Sequence, residues 1–136
     1  MALDRSNKVV SYRLLSRPYE DVWTWLAGWG MTEAVACCEQ ISIAIFGANK
    51  SSNVKLYGSY QACLMALTAS RMPFTQVKPT AWQTHHGIRK NKGEPQPKWK
   101  SRLVRFARTK FPREGLDGST ADAALIALYL KGTYEG

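Results

Sequence analysis

Three acidic side chains, Glu39, Asp117 and Asp122, stand at positions where carboxylates can do chemistry. Glu39 closes the run AVACC (34–38), and apolar sequence resumes behind it through ISIAIF (41–46). A carboxylate inside what reads as a fully buried strand costs several kcal/mol unless a partner or cation compensates. Asp122 opens another apolar stretch, ADAALIALYL (121–130), and Asp117 lies five residues earlier on the lead-in loop. Converging carboxylates on separate elements suit Mg²⁺, which prefers hard oxygen ligands. Phosphodiester hydrolysis is commonly run by two such ions about 3.5–4 Å apart. Each acid also has a structural reading. Ser119 and Asp122 have capping-box spacing, Asp117–Gly118 is an ordinary turn pair, and Glu39 can be a strand-end charge.

The net charge of +9 is unevenly placed. Residues 78–113 hold eleven Lys or Arg and one acid, Glu94, whereas the rest of the chain has eight basic and nine acidic residues. A surface that only solubilises mixes its signs. Confinement to about a quarter of the chain points to nucleic acid, with Lys50, Lys78, Arg89, Lys90, Lys92, Lys98 and Lys100 as phosphate contacts. An anionic membrane fits less well, because no lipidation motif or Trp-faced basic helix accompanies the charge.

Other chemistries are poorly supported. His85 and His86 are adjacent, while helical metal pairs need one-turn spacing, so they are expected near phosphates or in solvent. Gly47-Ala-Asn-Lys-Ser departs from a phosphate loop in the placing of its glycines. Cys37, Cys38 and Cys63 form no CxxC pair and read as small core residues in a reducing compartment. No apolar run is long enough to span a bilayer, and MALDRSNKVV lacks the apolar core of a secretion signal. A cytoplasmic location without membrane association follows as the expectation.

The 136 residues suggest one domain over 1–136, with strands and helices alternating in an α/β layer fold around a mixed sheet. A hairpin is expected first, with a turn at Asp4 to Asn7 and a strand from Lys8 to Leu15. SRPYEDVWTWLAGWG reads as a helix whose Trp residues belong to the core. AVACCEQISIAIF reads as a central strand, and 53–70 as a helix apolar nearly all round, either wrapped by its own domain or shared with a second subunit. Phe74 to Val77 reads as a short strand, HHGIRKNKGEPQPKW as a mobile loop, and Lys100 to Phe111 as a helix. In that helix Leu103, Phe106, Ala107 and Phe111 face inward. The last helix is expected to stop at Lys131–Gly132.

Taken in order, VACCEQIS, GANKSSN leading into NVKLYGSYQACLMAL, MPFTQVKPTAW, a basic region and DGSTADAALIALYL resemble the RuvC-like Holliday-junction resolvases. Phage and prophage members are the most similar. The resemblance runs from about Ala2 to Lys131, and its most specific parts are E-Q after an apolar strand, V-x-P-x-x-W, and the final A-D-A helix. It implies a ribonuclease H-like fold and a Mg²⁺-dependent endonuclease, Mn²⁺ being the natural substitute. It implies further a homodimer, here through the 53–70 helix, that nicks paired strands of four-way DNA junctions in recombination, repair or phage DNA processing. By position Glu39 matches the family's strand glutamate and Asp122 an aspartate of its terminal helix. Where relatives carry another acid three or four residues earlier, this chain has Ser119 and Gly118, so Asp117 fills that role only if the turn is shifted.

The front of the chain departs further. Relatives begin with a strand of the type G-I-D-P-G-x-x-G-A that supplies a central metal ligand, whereas ALDRSNKVV matches their second strand and turn. The first central strand is therefore expected to be absent and the chain to start late, with Asp4 matching a turn residue. Such a chain is expected to be poorly stable, since unpaired buried backbone groups cost about 1–3 kcal/mol each, and to cut junctions weakly or not at all. The alternatives are a catalytically inactive relative that only binds branched DNA and an RNA-binding accessory protein.

Overall fold

The computed structural model describes residues 2–3, 9–11, 24–26, 28, 34–41 and 50–135. The chain divides into two compact units, Leu15–Lys78 and a second made of Met1–Leu14 with Pro79–Gly136. It is a mixed α/β protein. Among the described residues are strands β1 (Ala2–Leu3), β2 (Val9–Ser11), β3 (Ala36–Glu39) and β4 (Phe74–Val77). The helices are α1 (Lys50–Ala69), α2 (Pro79–His85), α3 (Gln96–Lys110) and α4 (Ala121–Glu135). No described helix is long and apolar enough to cross a membrane.

In the Leu15–Lys78 unit, β3 and β4 run parallel, with Ala36 opposite Phe74 and Glu39 opposite Val77. The pairing continues at both ends, where Ala36 N donates to Pro73 O (2.9 Å) and Gln40 N to Val77 O (2.7 Å). Parallel neighbours need a crossover, and α1 lies between them in the chain. It buries Tyr60, Ala66 and Leu67, and the last two cluster with Leu26, Ala36, Cys38, Cys63, Met72 and Phe74. Tyr60 Oη donates to Gln76 Oε1, tying α1 to β4. Residues 24–26 are helical, as expected for that segment, and Trp25 packs on the cluster as a core residue. The rest of that expected helix and the Asp4 to Asn7 turn lie outside the described residues.

α1 ends in a Schellman motif: Met72 N bonds to Leu67 O (3.1 Å) and Arg71 N to Thr68 O (3.0 Å). Arg71 takes the left-handed position at φ 53°. α2 closes in the same way, with Ile88 N on Gln83 O, Gly87 N on Thr84 O, and Gly87 at φ 68°. There the left-handed residue is the glycine that carries no Cβ penalty.

The Met1–Leu14 and Pro79–Gly136 unit pairs β1 with β2 antiparallel, in keeping with the expected hairpin. Its core joins Trp82 and Ile88 to Leu103, Ala107 and Phe111 from α3 and its end, and to Leu116, Ala121, Ala124 and Leu125. Leu103, Leu116 and Leu125 are fully buried, each contributing about 1.5–3 kcal/mol relative to exposure.

Several sequence expectations need correction. The strand around Glu39 ends at Glu39, and its residues are half-buried instead of fully enclosed. The segment after Val77 is helical over Pro79–His85, with proline in the first turn and Gly87 beyond the end. The basic stretch behind it is a fastened loop. Ile88 is buried, Trp99 Nε1 donates to Ile88 O (2.8 Å), and Arg102 grips both oxygens of Glu94 (2.9 and 3.2 Å) and Arg89 O (2.7 Å). Arg102 thus holds the loop and does not project freely, and Phe106 is only half-buried. The terminal helix passes through Gly132 to Glu135.

Candidate functional site

The acids divide between the units: Glu39 closes β3 in one, and Asp117 and Asp122 frame the start of α4 in the other. Glu39 is half-buried and lies opposite Val77 in the parallel pair.

Asp117 and Thr120, not Ser119, close the lead-in to α4 on each other, and Asp117 O also accepts from Thr120 N (3.2 Å) and Ala121 N (3.0 Å). The Thr120 side chain faces back toward Asp117. Its hydroxyl accepts from Asp117 N (3.0 Å) and donates to Asp117 Oδ1 (3.1 Å), and its carbonyl accepts from Ala124 N (3.2 Å). Asp117 Oδ1 also takes Ser119 N at 2.8 Å. The backbone N–H of Ser119, and after it the Thr120 hydroxyl, hold the Asp117 carboxyl below its ordinary range. Asp117 is therefore engaged as a turn former, and the Ser119–Asp122 capping box does not organise this end.

Asp122 instead faces α3. Its Oδ2 accepts from Lys100 Nζ at 2.7 Å, while its Oδ1 is buried with no hydrogen-bond partner. An unsatisfied buried acceptor costs about 1–3 kcal/mol, more when charged, so this oxygen is suited to a cation. A metal ion fits Asp122 on that ground. It fits Asp117 less well, because Oδ1 there already accepts two hydrogen bonds. Among the described residues no three His, Cys, Asp or Glu side chains cluster as a metal group.

Beside this pair, Lys100, Ser101, Arg105, Arg108, Asp117 and Gly118 line a hollow of about 550 Å³. Arg108 is anchored through Nε to Leu116 O (2.8 Å), which fixes one wall. Of the expected phosphate contacts, Arg89, Lys90, Lys92 and Lys98 are exposed in this unit, and Lys78 is exposed at the end of the other. Lys100 differs: it is half-buried and already bound to a carboxylate. Lys50 begins α1, and its side chain lies outside the described residues.

Of the two histidines, His86 departs from expectation. His86 is half-buried and its Nε2 bonds to Leu125 O at 2.8 Å, so it is a structural residue of the α4 packing. Burial pushes its pKa down. His85 is exposed and meets the rings of His86 and Tyr129 edge-on, with centroids 5.0 and 5.1 Å apart. Sequence reasoning missed the Lys100–Asp122 pair, for which no local spacing signals a contact across 22 residues. It read Asp117 as a turn residue but missed its reciprocal partner, Thr120.

The cysteines are free thiols. Cys38 and Cys63 approach to 3.7 Å between β3 and α1, so their sulfurs interact inside the core as expected of buried thiols. Their hydrogen bond raises the pKa of Cys38 and lowers that of Cys63.

No known family model matches the chain, and no curated protein matches it.

Proposed function

We propose that this chain is a Mg²⁺-dependent, structure-selective endonuclease of the RuvC-like type, with a ribonuclease H-like fold, acting on four-way DNA junctions. The observation that carries the reading is the Asp122 carboxylate. One oxygen is buried and unsatisfied, and the other is held by the ammonium of Lys100, which itself lines a basic hollow. The sequence resemblance implies Glu39 as a further ligand and, less readily, Asp117. Bound Mg²⁺ (or Mn²⁺) would neutralise charge developing on a phosphodiester and acidify a water. The chain's own part is to bring the strand there. Arg89, Lys90, Lys92 and Lys98 are the exposed cations that would hold phosphates without reading bases, and Lys100, if released from Asp122, would join them.

Dimerisation belongs to the same proposal. Val54 and Met65, three turns apart on one side of α1, are 62% and 68% exposed. Apolar side chains so exposed on a helix suit a second copy, and sedimentation at rising concentration tests this. A single species at monomer mass throughout contradicts it.

A second reading, a relative that binds branched DNA without cutting, is favoured by the engagement of Asp122 with Lys100 and of Asp117 with its turn. Both readings require preference for junctions. Competition between four-way junction, linear duplex and duplex RNA measures it, with log K falling against log salt at a slope of about −5 for six neutralised phosphates. Equal affinity for duplex RNA contradicts both.

A further inference from the structure

A second hollow, of about 490 Å³, lies between α2, α3 and the C-terminal half of α4, lined by His85, His86, Phe106, Lys110, Lys131 and Gly132 together with Leu128. Lys131 is nine residues beyond Asp122 on the same helix, about 13 Å along its axis. The hollow is therefore separate from the acidic site. Among the described residues its lining has two lysines, two histidines and no acid.

Three features point to a ligand carrying both a negative charge and a flat ring. The first is the aromatic wall: Phe106 and His86 lie with centroids 5.9 Å apart, inclined by 52°, and His85 stands edge-on to His86. The second is charge beside that wall, where Lys110 Nζ sits over the Phe106 ring, 5.3 Å from its centre. The third is Gly132. Glycine inside a helix is less favourable than alanine by about 1 kcal/mol, so its presence here asks for a reason. A Cβ at 132 would meet His85 Nε2 at 3.8 Å, an ordinary contact, so packing does not require glycine. What glycine does is leave the space over His85 open.

We infer that this hollow is a binding site for a nucleobase with its phosphate, the base resting on Phe106 and His86 and the phosphate held by Lys110. The chemistry is the same whether the ligand is a free nucleotide or an unpaired nucleotide within a strand. Binding here goes beyond the proposed cleavage and needs no metal.

The test uses the full chain with a chelator present and two fluorescent probes: 2-aminopurine deoxyribonucleoside monophosphate, and an oligonucleotide carrying one unpaired 2-aminopurine. Saturable quenching of either probe is expected. Quenching of both identifies a free-nucleotide site, and quenching of the oligonucleotide alone identifies a strand-borne one. Lys110→Gln and Gly132→Val should each weaken binding by about tenfold, and Lys55→Gln, in the other unit, should leave it unchanged. Far-UV circular dichroism checks that the variants fold. Absence of saturable quenching with both probes, or undiminished binding by Lys110→Gln, overturns the inference whatever the valine variant does. Because metal is excluded, failure here leaves the junction-cleavage reading untouched, and failure of cleavage leaves this inference untouched.

Discussion

Lys100 Nζ lies 2.7 Å from Asp122 Oδ2, an ion pair that joins α3 to the first turn of α4. The two side chains retain 32% and 40% of their exposure, so solvent screens the attraction. The pair therefore does more to set the chemistry of the carboxylate than to hold the fold. Lys100→Gln should change stability by less than about 1 kcal/mol in denaturant unfolding. The same variant should bind Mn²⁺ more tightly, because the resident cation is gone and the second carboxylate oxygen is already unsatisfied. Manganese titration followed by electron paramagnetic resonance reads this. Weaker Mn²⁺ binding would show that Lys100 does not compete for the site.

Arg71 carries a backbone cost that its counterpart Gly87 does not. Both occupy the left-handed position of a Schellman motif, at φ 53° and 68°. A left-handed L-residue costs about 1–2 kcal/mol, offset in part by the greater chain entropy glycine has when unfolded. Arg71→Gly is accordingly expected to stabilise the chain by roughly 0.5–1 kcal/mol, seen as a higher denaturation midpoint. A lower midpoint would mean that the arginine side chain contributes more than its backbone costs.

The histidine buried against Leu125 O gives the fold a pH dependence. Burial lowers the His86 pKa from its ordinary 6.5, with smaller contributions of the same sign from His85 and Lys110 and an opposing one from the Leu125 carbonyl. Below 6.5 the unfolded chain takes up a proton that the folded chain resists, so stability falls as pH drops from 6.5 through the folded value. The Glu94 and Asp117 carboxyls, lowered by Arg102 and by the turn around Ser119 respectively, lose their stabilisation only at more acidic pH. Melting should therefore occur at a lower temperature at about pH 5 than at about pH 7.5, and His86→Gln should flatten that difference. An unchanged slope in the variant would assign the effect elsewhere.

Local physics explains which parts were legible in the sequence. The strand Phe74–Val77 and the amphipathic α3 follow from short-range pattern, and the structure has both. α2 was legible too, since proline at its start and Gly87 past its end mark a helix, but the surrounding Lys, Gly and Pro masked the signal. The loop behind it looked mobile because its fastenings are long-range: Arg102 reaches Glu94 across eight residues and Trp99 reaches Ile88 across eleven. Asp122 could be singled out from its place at a helix start, but its partner could not. Gly132 signalled a helix end by type alone, yet α4 continues through it.

The most direct test of the central claim is strand nicking in a four-way junction by the full chain, with and without Mg²⁺, beside Asp122→Asn and Glu39→Gln. All three proteins are expected to bind junctions selectively, with any nicking strictly dependent on Mg²⁺ and abolished in both variants. Junction binding without nicking under every condition decides for the non-cleaving reading. Nicking that persists in Asp122→Asn, or junctions bound no better than linear duplex, would rule out Asp122 as the centre of a junction nuclease.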